Sequence, residues 1–183
     1  MLLIVSPNLC LDRVIVVPGF TAGDVHRAES VTMHSGGKGM NVARAATALG
    51  ARVWLVGIAG GAAGRTITRG ARAHGIGMEA VYVKGESRTC TLIVDPGRPE
   101  TVINEPGPEV GPDAVKGLEL RIRARLTRAE VVLLTGSLPP GIPPGFYAGL
   151  VEAADLVEEV ADGGVEERQL RCGRGDLVGF DVG

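Results

Sequence analysis

Runs of apolar residues alternate with helix-like stretches along most of this chain, and the type of run changes with position. Residues 2–5 and 53–58 are almost continuously apolar, the pattern of strands covered on both faces of a sheet. Between them, residues 39–49 read as a helix that stops at Gly50, which makes a βαβ unit carrying an insertion. A second helix is expected over about 64–74, ending at Gly75, with a strand at 79–84 after it. Residues 131–135 form the next buried strand, and a helix is expected from about residue 144.

Two pairs of strand-like runs do not belong to βαβ units. Residues 14–17 and 28–34 are joined by Pro18-Gly19-Phe20-Thr21-Ala22-Gly23-Asp24, and residues 88–94 and 100–104 by Asp95-Pro96-Gly97-Arg98-Pro99. Four such strands predict a small accessory sheet at the edge of an α/β domain with a largely parallel main sheet. Hinged at glycines, that small sheet would act as a lid that expels water from a reaction otherwise lost to hydrolysis. Ligands of open α/β sheets gather at the carboxyl ends of the strands, so Gly136 and Ser137, directly after the 131–135 strand, are candidate substrate residues.

Composition narrows the class without naming a function. The chain has 183 residues, 45% of them hydrophobic, and a net charge of −2, which suits one soluble globular domain. Aromatic residues are only 3%, so the core must be built from Val, Leu, Ile and Ala. Lys38, Lys84 and Lys116 are the only lysines, and the arginines are scattered among acids, a distribution that argues against a nucleic-acid partner. Cys10, Cys90 and Cys172 are too far apart for a disulfide framework or a zinc-ligand pair, which points to a reducing compartment, the cytoplasm. The apolar run at 2–5 is too short for a signal-peptide core or a membrane span.

Residues 34–49 hold the densest candidate chemistry. Gly36, Gly37 and Gly39 surround Lys38 immediately before a helix, and free N–H groups with the helix dipole favour an anion there. Lys38 adds a full charge and Asn41 a side-chain donor one turn in. The same run also fits a glycine-rich connection that binds nothing. It is neither a P-loop, because Gly39 and Met40 follow the lysine in place of Ser or Thr, nor a dinucleotide fingerprint, because Val42 stands where a third glycine or alanine belongs.

Five segments together resemble the PfkB carbohydrate kinase family, of ribokinase-like fold: Asn8-Leu9-Cys10-Leu11-Asp12, the run from Ser35 to Arg44, Ser87-Arg88-Thr89, Ile103-Asn104-Glu105-Pro106-Gly107-Pro108, and Leu134-Thr135-Gly136-Ser137-Leu138-Pro139-Pro140-Gly141. Their order and spacing match from Met1 to about Leu150. The resemblance implies a three-layer α/β sandwich with a β-sheet lid over about 12–34 and 88–105. It implies that Asp12 holds sugar hydroxyls, that Gly36, Gly37 and Asn41 line the sugar pocket, that Lys38 and Arg88 bind a phosphate already on the substrate, and that Ser137 completes the pocket. Two cations in one pocket favour a sugar phosphate over a free sugar, since a neutral ligand would leave both without a counter-charge. Fructose 1-phosphate, fructose 6-phosphate and tagatose 6-phosphate all remain open. ATP and Mg2+ follow from the resemblance, as does a homodimer formed through the lid strands; no metal-ligand residues are assigned.

After about Leu150 the family pattern stops, so the chain is expected to be C-terminally truncated, with 1–150 as the substrate-binding part and 151–183 as an atypical tail. Cys172-Gly173-Arg174-Gly175-Asp176 resembles a compressed form of the family's Gly-Ala-Gly-Asp catalytic turn, which makes Asp176 the candidate base. The alternative is a catalytically inactive sugar-phosphate binder or a remnant of a kinase.

Overall fold

A computed structural model describes residues 1–161. Over them the chain runs β1 (Leu2–Asn8), β2 (Cys10–Val16), β3 (Ser30–Gly36), α1 (Lys38–Ala48), β4 (Val53–Gly60), α2 (Gly61–Ala73), β5 (Gly77–Val83), β6 (Arg88–Val94), β7 (Thr101–Asn104), α3 (Pro112–Leu126), β8 (Val131–Leu134) and α4 (Phe146–Ala161). Two four-stranded sheets result. The main sheet has the order β5-β4-β1-β8 with every pair parallel, and the small sheet has the order β3-β2-β6-β7.

β1 and β4 are buried on both faces, as their unbroken apolar runs require, whereas β8, expected to be buried, is an edge strand that is only partly covered, with Val131 56% exposed. Leu3 and Val5 of β1 join Val56 and Ile58 of β4 in a core shared with Leu118 and Ile122 of α3 and Phe146 and Leu150 of α4. Ile4 and Leu55, one residue out of step, point into a second core with Met40 and Ala43 of α1 and Ile67 and Ala71 of α2. The result is a helix-sheet-helix sandwich of three layers.

β1 extends to Asn8, three residues past the expected end at Val5, because Pro7 interrupts the ladder without ending the strand. The register with β4 shifts between Val5 and Asn8 at this point, where proline has no N–H to donate. β2 likewise begins at Cys10 in place of residue 14. Both its edges are occupied, by antiparallel β3 and parallel β6, and that pairing extends it over its more polar first half. Helix α3 has no counterpart among the expected elements, although Gly111-Pro112 is a regular helix opening and Leu118 and Ile122 are spaced four apart. α4 crosses position 150, where the kinase-like part was expected to end.

The lid connects to the main sheet at four places. The chain enters it at Leu9, returns through Gly37 into α1, enters again across residues 84–87 and returns across 105–111 into α3. It therefore sits over the carboxyl ends of β1, β4, β5 and β8.

Candidate functional site

An open cleft of about 1090 Å³ lies between the lid and the carboxyl ends of β1 and β8. Asp12, Gly37, Lys38, Asn41, Arg88 and Ser137 all line it. Gly36 lies beneath Asp12: a Cβ at this position would fall 2.0 to 2.4 Å from the carboxylate atoms. Six residues named from sequence thus share one wall-to-wall space, and the seventh leaves room for one of them. Asp176 lies outside the described residues.

Local geometry explains how each segment reaches the cleft. Gly37 takes φ of 90°, open to glycine and strained for other residues, and this turns the end of β3 directly into α1. No side chain caps α1. Gly37, Lys38 and Asn41 at its start line the cleft, and the first turn of a helix carries N–H groups without intrahelical partners. α2 differs, since the Glu86 carboxylate accepts from Ala62 N (3.0 Å) and Ala63 N (2.9 Å) and is held below the ordinary carboxyl range by those two bonds. Asn41 Oδ1 accepts from Arg44 at 2.5 Å, which leaves the amide nitrogen as the donor on offer to a ligand.

Arg88 opens β6 in the middle of the lid sheet and bridges to the main domain. Its Nε donates to Asn8 O (3.3 Å), and one terminal nitrogen donates to Asn104 Oδ1 (3.3 Å) and Glu105 O (3.5 Å). Glu105 is itself tied to β6, its carboxylate accepting from Thr89 N at 2.7 Å. The guanidinium is thereby held at the mouth of the hinge while its remaining N–H edge stays available for an anion.

Asn8 is a site residue that single-residue reasoning passed over. It is 5% exposed, and its amide donates to Pro106 O (2.9 Å) and Ser137 Oγ (3.1 Å). One side chain thus joins the end of β1 to the two loops that close the cleft. The sequence signal was the run from Asn8 to Asp12, but an asparagine after a proline reads by itself as a turn former. The loop holding Ser137 is fixed from the other side by Tyr147 of α4, whose hydroxyl donates to Thr135 O (2.7 Å) and is shared with Gly136 O (3.0 Å). Burial raises the Tyr147 hydroxyl pKa, keeping that donor protonated.

The fold and cleft define a class. The chain belongs to the pfkB family of carbohydrate kinases, whose family model matches residues 2–161. Among solved structures it is similar to a Thermotoga maritima protein described as a possible 1-phosphofructokinase, with 33% sequence identity and a TM-score of 0.80 over 85% of this chain and 51% of that one. It is also similar in fold to Escherichia coli phosphofructokinase-2 in complex with fructose-6-phosphate (23% identity, TM-score 0.76, 85% of this chain and 51% of that one). The tetrameric inhibited form of that enzyme matches at 24% identity and a TM-score of 0.74, again over 85% of this chain and 51% of that one. The chain spans about half the length of these structures. The expected ribokinase-like α/β architecture is therefore the observed one. Among the described residues, no helix is long and apolar enough to cross a membrane.

Proposed function

We propose that this chain forms the sugar-phosphate side of a kinase that transfers the γ-phosphoryl group of ATP to a hydroxyl of a ketohexose phosphate, with fructose 1-phosphate, fructose 6-phosphate and tagatose 6-phosphate as candidates. The observation that carries this reading is the convergence of Lys38, Arg88, Asp12 and Ser137 on one cleft at the strand ends. Lys38 and the uncapped start of α1 neutralise the phosphate the substrate already carries, together with the Arg88 fork. Asp12 accepts from paired sugar hydroxyls, and Asn41 and Ser137 supply further polar contacts along the pocket. Lid closure over the carboxyl ends of the strands excludes water from the acceptor hydroxyl.

ATP and Mg2+ enter this proposal through family membership. Among the described residues, no group of three His, Cys, Asp or Glu is placed to hold a metal ion. Asp176 is proposed as the base that deprotonates the acceptor hydroxyl. A homodimer through the lid strands and a cytoplasmic location complete the reading. Val31 and Met33 on β3 and Val102 and Ile103 on β7 are about half exposed, apolar surface of the kind that pairing lids would cover.

A second reading is sugar-phosphate binding without transfer, since Lys38, Arg88, Asn41 and Ser137 in the cleft are cations, an amide and a hydroxyl suited to holding a ligand. A thermal melt of the chain alone, with each ketohexose phosphate and with Mg-ATP tests both. A ligand at a hundred times its Kd adds about 2.7 kcal/mol, roughly 2–4 °C per kcal/mol for a domain of this size. Stabilisation by sugar phosphate and by Mg-ATP supports the kinase, stabilisation by sugar phosphate alone supports the binder, and no response to any ketohexose phosphate overturns both.

A further inference from the structure

Asp12 stands in an unusual frame. On the cleft face of the lid, the register sets Cys10 opposite Gly36 and Asp12 opposite His34 across β2 and β3, with Cys90 of β6 opposite Asp12 on the other side. Because Gly36 has no side chain, the carboxylate folds back over its backbone, into the space a Cβ would fill. There it meets the residue two positions earlier on its own strand: Cys10 Sγ is 3.1 Å from Asp12 Oδ1. The other oxygen, Oδ2, is 3.9 Å from His34 Nε2.

Cys10 is 1% exposed, whereas the Asp12 side chain keeps 15% exposure. The thiol packs beside Gly37 at the start of α1, where a Cβ would lie 3.3 Å from its sulfur. It therefore fills the seam between lid and helix and offers its one proton in a single direction.

We propose that Cys10 is a positioning residue for Asp12, its S–H donating to Oδ1 so that the carboxylate is held over Gly36 with its remaining lone pairs turned to the sugar. This rests on the proposed sugar-phosphate function. A carboxylate free to swing across the hinge would pair with His34 or with solvent and would have to be reordered each time a sugar bound. Burial, and next the hydrogen bond to Asp12, push the Cys10 thiol up to about 12, so it keeps its proton throughout the neutral range. A thiolate at this position would repel the carboxylate it now supports. Serine retains a donor at this position and alanine removes it, which makes the pair of substitutions diagnostic.

Two measurements on the full chain test the inference. The S–H stretching band of Cys10, isolated by infrared difference against C10S, is expected at the low frequency of a thiol bonded to a carboxylate, and it should rise in Asp12→Ala. An unbonded band in the wild type, or one unmoved by Asp12→Ala, overturns the contact. Titration with the ketohexose phosphate that most stabilises the wild type is expected to show affinity reduced by about tenfold in Cys10→Ala and by no more than about twofold in Cys10→Ser. Equal loss in both variants, or in neither, overturns the positioning role. A bonded band in a wild type that binds no ketohexose phosphate overturns the sugar-phosphate reading while the thiol–carboxylate bond stands.

Discussion

The amide of Asn8 donates to the hydroxyl of Ser137 at 3.1 Å across 129 positions of sequence, and the same nitrogen reaches Pro106 O at 2.9 Å. These two bonds anchor both loops over the cleft to the end of β1. Asn8→Ala removes a buried hydrogen-bonding group and opens a small void, at a cost of about 1–3 kcal/mol. The expected melting temperature falls by several degrees (~2–4 °C per kcal/mol), and sugar-phosphate affinity falls with it because Ser137 loses its tether. A melt unchanged from wild type would show that the loops are held without Asn8.

Arg88 combines a hinge role with the proposed phosphate contact, and two substitutions separate them. Arg88→Ala loses the bonds to Asn8 O, Asn104 Oδ1 and Glu105 O as well as the charge. Sugar-phosphate affinity is expected to fall by roughly 10- to 100-fold, the size of a lost charge-assisted hydrogen bond. Arg88→Lys keeps the charge without the fork and should fall between the two. Isothermal titration at two ionic strengths reads the difference, since a charge contact weakens as salt rises. Equal affinity in all three proteins would remove Arg88 from the phosphate site.

Gly36→Ala is predicted to injure the site more than the fold. The new Cβ would lie about 2 Å from the Asp12 carboxylate, which must leave its place. Because Asp12 is a side chain at the edge of open space, it can rotate away at modest cost to stability. Sugar-phosphate affinity should therefore drop by roughly tenfold or more with a melt close to wild type. A coupled loss of both would mean that β2 and β3 cannot pair around the methyl group.

Glu86 caps α2 through Ala62 N and Ala63 N, and those bonds lower its carboxyl pKa from the ordinary 4.5. A group lowered in the folded state stabilises fully above its unfolded pKa and loses that contribution as pH falls through the folded value. Glu86→Gln should accordingly lower the melt at neutral pH, and the gap from wild type should close on acidification below about 4.5. Parallel melting curves across pH 3 to 7 would contradict the cap.

Asp176→Asn addresses the one candidate that lies outside the described residues. If the wild type turns over, the variant should lose phosphoryl transfer and keep wild-type affinity for the sugar phosphate, as expected for a base that acts on the acceptor hydroxyl. Retained turnover in a coupled ADP-release assay would exclude Asp176 from the mechanism.

Much of this architecture was written locally. Unbroken apolar runs at 2–5 and 53–58 marked strands buried on both faces, and the turns rich in Pro and Gly marked two hairpin-like insertions, because burial on both faces and turn geometry each constrain adjacent residues; the run at 131–135 marked a strand as well, but its edge position leaves it only partly covered. The glycine-lysine run before α1 stood out as a candidate anion site for the same reason: the turn, the helix start and the charge are neighbours in sequence. Helix α3 escaped notice since only Leu118 and Ile122 are fully buried and its other positions are mostly charged or half covered.

What only the tertiary structure decided is which distant segments meet. β2 pairs in parallel with β6, 78 positions away, and that register alone sets Asp12 beside Cys90 and places Arg88 next to Cys10. The notch left by Gly36, the thiol that fills the seam beneath Asp12 and the tether from Asn8 to Ser137 depend on register and packing between elements. Residue spacing encodes the shape of each element, whereas contacts across a lid and a sheet arise only when several buried faces are satisfied at once.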